Sequence, residues 1–205
     1  EFQDWTESEK IAFWINAYNA ITLQYIIDHY PIKKGGFISG LRFPDNSIRQ
    51  IDGVWTKLET PVLGESLTLD HIEHQILRKE FDEPRIHMAL VCAAISCPKL
   101  RNEPFIGDRL DEQLTNQSEH FVQSQARVRL DRDRNRLYLS AIFDWFGDDF
   151  EGKYTPASGF EKLRGAKKAT AYFVSLHMNE SDAEYLRTGD YSIRYLDYDW
   201  TLNEQ

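Results

Sequence analysis

The stretch Arg85-Ile-His-Met-Ala-Leu-Val-Cys-Ala-Ala-Ile-Ser-Cys-Pro-Lys-Leu-Arg101 places a histidine and both cysteines of the chain at the two ends of one apolar run. Residues of these types do nucleophilic chemistry. A thiolate attacks, an imidazole takes and returns the proton, and a carboxylate or amide orients the imidazole or steadies the oxyanion. Cys97 is the candidate nucleophile. Pro98 suits the first position of a helix, which would make Cys97 an N-cap, and Lys99 and Arg101 add positive charge; each would favour the thiolate. The competing reading makes Cys97 a small buried hydrophobe. Cys92, inside the apolar run, reads as core.

The partners of a thiol are sought on the neighbouring segments. On a helix over residues 69–81, a turn of about 100° per residue gathers Leu69, Ile72, Glu73, Ile76 and Leu77 on one arc. A carboxylate in that stripe needs a partner, such as Arg78, Arg85, His87 or a backbone amide. Glu73 is therefore either one half of a structural ion pair or the group that orients a catalytic histidine. His74 lies at the edge of the stripe with Asp70 at i−4 to orient it, whereas His71 points to the polar side. If residues 86–92 form a strand, His87 shares an interior face with Ala89 and Val91. It is then a core histidine bonded to a carboxylate, or a general base facing Glu73. Asn16 and Asn19, three apart on the first helix beside Ala12, Ala20 and Leu23, are buried amides that must be satisfied. They hold backbone, position a histidine or donate to an oxyanion.

Metal chemistry is not indicated. His71, Glu73, His74, His87, Cys92 and Cys97 are of types that zinc accepts, but neither Cys-x-x-Cys nor His-Glu-x-x-His occurs. The chain also lacks a phosphate-binding glycine loop, a Gly-x-Ser-x-Gly elbow and a nucleotide fingerprint. No metal and no cofactor is expected. A Cys92–Cys97 disulfide would need a sharp turn that brings the Cα atoms within about 7 Å.

These residues must be positioned by the elements around them. Thr6-Glu-Ser-Glu9 is a capping-box pattern that predicts a helix over residues 10–29, ending at Tyr30-Pro31. Phe13, Trp14, Ile15, Ile21, Leu23, Ile26 and Ile27 cover so much of its circumference that it should be central. Residues 33–46 read as a loop, and 47–58 as a strand pair broken at Asp52-Gly53. The run 86–95 reads as strand first, then a turn toward Cys97. Residues 107–125 predict an amphipathic helix, 128–130 and 137–140 a hairpin, 160–177 a helix, and 191–200 a terminal strand. The sum is an α+β fold in a single domain over residues 1–205, with a central apolar helix and a small, mostly antiparallel sheet. A papain- or transglutaminase-like arrangement is one candidate. The chain opens Glu-Phe-Gln, and a segment upstream of residue 1 is expected.

Composition bounds the partners. The 205 residues are 41% hydrophobic and 28% charged, a globular profile. A net charge of −9 disfavours binding to nucleic acid or to an anionic membrane surface. The basic run Arg127-Val-Arg-Leu-Asp-Arg-Asp-Arg-Asn-Arg136 is interleaved with aspartates and reads as a solvated hairpin. No apolar run reaches the roughly 18 residues of a membrane span, so no transmembrane segment is expected.

Three motifs in order carry a family resemblance: Phe13-Trp-Ile-Asn-Ala-Tyr-Asn-Ala20, Leu69-Asp-His-Ile-Glu-His-Gln-Ile-Leu-Arg78 and the stretch from Arg85 to Arg101. The chain resembles the domain of unknown function 547 family, from the first helix to Phe143-Asp-Trp145 and on toward Tyr198-Asp-Trp200. Lys99 stands where the family has a second proline, which alters the local charge. The resemblance implies a periplasmic or secreted bacterial protein, since bacterial members are often exported; a cytoplasmic one stays open. It singles out the same residues: Asn16, Asn19, Glu73, His74, His87 and Cys97. Two functions fit them. One is a thiol hydrolase or acyl transferase acting on an amide or ester of a peptide or small molecule, with Cys97 as nucleophile, His87 or His74 as base, Glu73 as orienter and Asn16 or Asn19 at the oxyanion. The other is a non-catalytic interaction or scaffold domain with a buried polar network. Oligomeric state is not legible.

Overall fold

Thr6 closes the expected capping box: its Oγ1 accepts from the Glu9 N–H at 3.3 Å, and the Glu9 carboxylate accepts from the Thr6 N–H at 2.7 Å. With two orphan donors satisfied, α1 (Glu7–His29) starts three residues ahead of the predicted residue 10. It ends at the cis Tyr30–Pro31 bond. The computed structural model describes residues 2–204, with backbone alone at 37–39. In it the chain forms two compact units. Residues 2–81, Ala89–Gln113 and 199–204 make the first; Asp82–Met88 and Leu114–Tyr198 make the second.

In the first unit α1 is central, as its apolar circumference demands. Ile11, Ala12, Trp14, Ile15, Tyr18, Ile21 and Tyr25 are buried, although Leu23 and Ile27 stay exposed. The predicted loop 33–46 contains a short helix, α2 (Phe37–Arg42). The strand pair expected over 47–58 is absent. Ser47 caps a 3-10 turn (Ile48–Gln50) through the Arg49 N–H, and Gly53, at φ +65°, accepts from the N–H groups of Thr56, Lys57 and Leu58. The apolar alternation there marks successive turns. The hairpin lies further on, as β1 (Thr60–Val62) and β2 (Glu65–Leu67), closed by Leu63 and Gly64 at φ +52° and +88°. Both central residues have positive φ, as tight hairpin turns require.

The next helix falls where it is expected but is wound differently. His71–Leu77 is a π-helix that runs into the single turn α3 (Arg78–Glu80), the Arg78 N–H reaching Glu73 O five residues back. The strand expected over 86–92 is replaced by a 3-10 turn (Pro84–Met88) and irregular backbone. The helix after Pro98 does not form either; the next helical residues are Gly107–Arg109, which lead into α4 (Leu110–Val122). The chain passes from one unit to the other within α4.

The second unit holds a three-stranded sheet: β3 (Val128–Asp131) antiparallel to β4 (Arg136–Leu139), the predicted hairpin, with β5 (Ser192–Tyr195) parallel to β4 on its other side. Short helices α5 (Ile142–Trp145) and α6 (Glu151–Tyr154) precede α7 (Gly165–Ser175) and α8 (Glu180–Thr188). The helix predicted from residue 160 begins later because Phe160 and Gly165 both take positive φ. Phe143, Phe150, Phe160 and Phe173 form the centre of this core, each 2% exposed or less. The fold is α+β with mostly antiparallel pairing, and no described helix is long and apolar enough to cross a membrane.

Candidate functional site

In the first unit α1 holds the cysteine-bearing loop by two amide clamps. The Asn19 Nδ2–H donates to Ala89 O at 3.0 Å while its Oδ1 accepts from the Val91 N–H at 2.9 Å. Asn16, one turn earlier, does the same to both backbone groups of Phe105, at 2.8 and 2.9 Å. A side-chain amide used this way replaces a ladder partner for backbone that forms no sheet. From the other side residues 199–203 run along the loop. Ile95 N–H donates to Thr201 O at 2.9 Å, Asn203 N–H to Ala93 O at 2.8 Å, and Asp199 N–H to Ser96 Oγ at 2.9 Å.

Within that loop the two thiols are unlike. Cys97 is 3% exposed, and its Sγ accepts from the Cys92 N–H at 2.7 Å and lies 3.9 Å from Leu90 O. The expected helix-end field is missing, because no helix follows Pro98. Cys92, expected in the core, is half-buried. The reason is Ala93, whose φ of +56° reverses the chain directly after Cys92. Neither cysteine is in a disulfide.

Glu73 is buried as predicted, with a partner not foreseen: the Tyr18 O–H donates to its Oε2 at 3.0 Å, and the Trp55 Nε1–H donates to the Tyr18 oxygen at 3.3 Å. Burial above all, then the negative charges of Glu73 and Cys92, push the Tyr18 phenol well above its ordinary range, so Tyr18 remains a donor. His74 has both ring nitrogens engaged. A guanidinium can only donate, so Nδ1 accepts from Arg78 at 2.9 Å, which leaves the proton on Nε2, 3.5 Å from Asp70 Oδ1. The Asp70 contact is the predicted one; Arg78 occupies the lone pair that a base would use.

His87 belongs to the second unit. It is 3% exposed, its Nε2 is 2.7 Å from Asp149 Oδ2, and its ring stacks on Phe146 at 4.2 Å and 14°. The carboxylate partner is thus Asp149 rather than Glu73, because residues 84–88 coil as a 3-10 turn instead of extending. Of the six candidates, Asn16, Asn19, Glu73, His74 and Cys97 lie in the first unit. Among the described residues, no three His, Cys, Asp or Glu side chains gather as a metal site would require.

Sequence reading passed over an aromatic cluster in the same unit. Arg49 Cζ lies 4.3 Å from the Phe43 ring centre, 5.0 Å from Trp200 and 5.3 Å from Trp55. Burial first, then repulsion by Arg42, favours the uncharged form of Arg49, against the opposing pull of Cys92. No spacing rule joins positions 43, 49, 55, 92 and 200; the hydrogen bonds of residues 199–203 to the loop bring Trp200 there.

Comparison with known proteins found no match among curated proteins and none among solved structures. A family model does match. It covers residues 2–122, which includes all three sequence motifs and both asparagine clamps, and the chain belongs to the family described as protein of unknown function DUF547.

Proposed function

We propose that the first unit is a non-catalytic binding module in which a buried polar network holds the 89–105 loop in one conformation. The observation that carries this reading is how the candidate polar groups are used. Asn16 and Asn19 have both ends of their amides on backbone, the Cys97 sulfur takes the Cys92 N–H, and Glu73 takes the Tyr18 hydroxyl. Groups committed in this way contribute a fixed loop surface, and fixed loops on a rigid scaffold are where recognition is concentrated. The test is iodoacetamide alkylation as a function of pH, read by peptide mass. Cys97 should react only as the protein unfolds. Rapid alkylation of folded protein near neutral pH, slowed by His74→Ala or His87→Ala, would sink the module reading.

One observation favours the second reading, a thiol hydrolase or acyl transferase acting on an amide or ester. Cys92 is half-buried, and its charge and that of the Arg49 guanidinium attract; a thiol beside a cation is the setting in which reactive cysteines are found. In that case the nucleophile is Cys92, with Cys97 as a supporting group. The same experiment decides: Cys92→Ser would abolish the fast alkylation, and Cys97→Ala would leave it in place.

A further inference from the structure

Arg49 stands among three aromatic rings. Phe43 and Trp200 meet at 6.2 Å and 76°, and Trp200 and Trp55 at 6.0 Å and 74°, so the three rings form a continuous wall around its guanidinium. A second guanidinium, that of Arg42, lies 5.6 Å from the same Phe43 ring. Two cations thus share one phenyl ring. Among the described residues neither has a carboxylate partner, although the chain carries a net charge of −9. Arg85, Arg101, Arg109, Arg132 and Arg134 each pair with a carboxylate within 3.3 Å, while Arg129, over the Tyr138 ring, has none among the described residues; what sets Arg49 apart is that three rings surround it. Stacking engages the face of a guanidinium and leaves its N–H edge free to present a planar fork, the geometry that takes an oxyanion in two parallel hydrogen bonds. The surrounding rings offer an apolar surface to whatever carries that oxyanion.

We propose that Arg49 and Arg42, backed by Phe43, Trp55 and Trp200, bind the oxyanion of a small organic ligand, a carboxylate or a phosphate monoester, whose body is apolar or aromatic. The proposal names a ligand class for the binding module and rests on that reading for its biological role. The hydrogen bonds of residues 199–203 along the loop hold Trp200 in that wall.

The test is titration of the full chain with benzoate and with phenyl phosphate, followed by calorimetry and by tryptophan emission. Benzamide serves as the neutral counterpart and inorganic phosphate as the anion without a body. A saturable response to either organic anion is expected. It should weaken about tenfold or more in Arg49→Gln, less in Arg49→Lys, which keeps the charge but loses the fork, and it should weaken with added salt. Preference for benzoate assigns a carboxylate, and preference for phenyl phosphate assigns a phosphate. Circular dichroism confirms that each variant is folded. No saturable response up to about 10 mM in folded protein would overturn the proposal. So would equal binding of benzamide, or unchanged binding by Arg49→Gln. Such failures leave thiol reactivity unaltered, so they are distinguishable from failure of the module reading.

Discussion

At the scale of single residues, a side chain's role here depends on whether its polar atoms are already committed. Asn19 satisfies two backbone groups that would otherwise be buried and orphaned, so Asn19→Ala should cost about 1–3 kcal/mol in chemical denaturation. It should also raise amide hydrogen exchange across residues 89–97 before exchange rises elsewhere in the unit. Asn19→Asp keeps the acceptor for Val91 N–H but sets a carboxylate against Ala89 O, and is expected to be no milder. Unchanged exchange in the loop would mean that the clamp does not hold it. Asn16→Ala should act in the same way on the segment around Phe105.

At the scale of elements, the helices show what local sequence controls. The capping box of α1 is complete, so Thr6→Ala should lower stability by about 0.5–2 kcal/mol, measured by denaturant unfolding, with no change in thiol reactivity. The π-helix is a different matter. Its wide turn is rare and concentrates at functional sites, and it carries Glu73 and His74. Helical periodicity located this segment and the burial of Glu73, but period alone does not distinguish i→i+5 from i→i+4 winding. The short turns around residues 48–57 misled in the opposite sense, because alternating apolar residues also arise where consecutive tight turns each bury one side chain.

For the whole molecule, buried titratable groups bound the pH range of stability. In the second unit, burial raises the Glu83 carboxyl, but the hydrogen bonds from Arg85 and Lys153 prevail and hold it below its ordinary 4.5. A depressed carboxyl contributes stability that is present above the ordinary value and lost as pH falls through the folded one. Burial lowers His177 below 6.5, with the same sign, so acid weakening begins there. Tyr18 and Tyr191 are raised, mainly by burial, and their contribution is lost as pH rises past 10. Thermal melts should therefore show a plateau between about pH 7 and 9 that declines on both sides. Tyr18→Phe should flatten the alkaline limb, and a limb of unchanged slope would contradict the burial of that phenol. Removing Glu83 takes away the carboxylate that faces the buried Arg85, so Glu83→Ala should cost about 3–5 kcal/mol in denaturant unfolding.

The α+β class, the capped central helix, the hairpin over the charged turn and the burial of Glu73 are legible in the residues alone. Each rests on periodicity or turn chemistry within a dozen residues. The sequence also marked the six polar residues, because a polar group on an apolar face is visible without coordinates. Their partners came from the packing of distant segments. Asn19 meets Ala89 and Val91 from seventy residues away in the chain, His87 meets Asp149, and Trp200 joins Arg49 only through the backbone pairing of residues 199–203 with the loop. Partner choice is set by long-range packing, which side-chain period does not encode. The half-buried position of Cys92 and the burial of Cys97, five residues apart on either side of the positive-φ Ala93, are likewise tertiary outcomes.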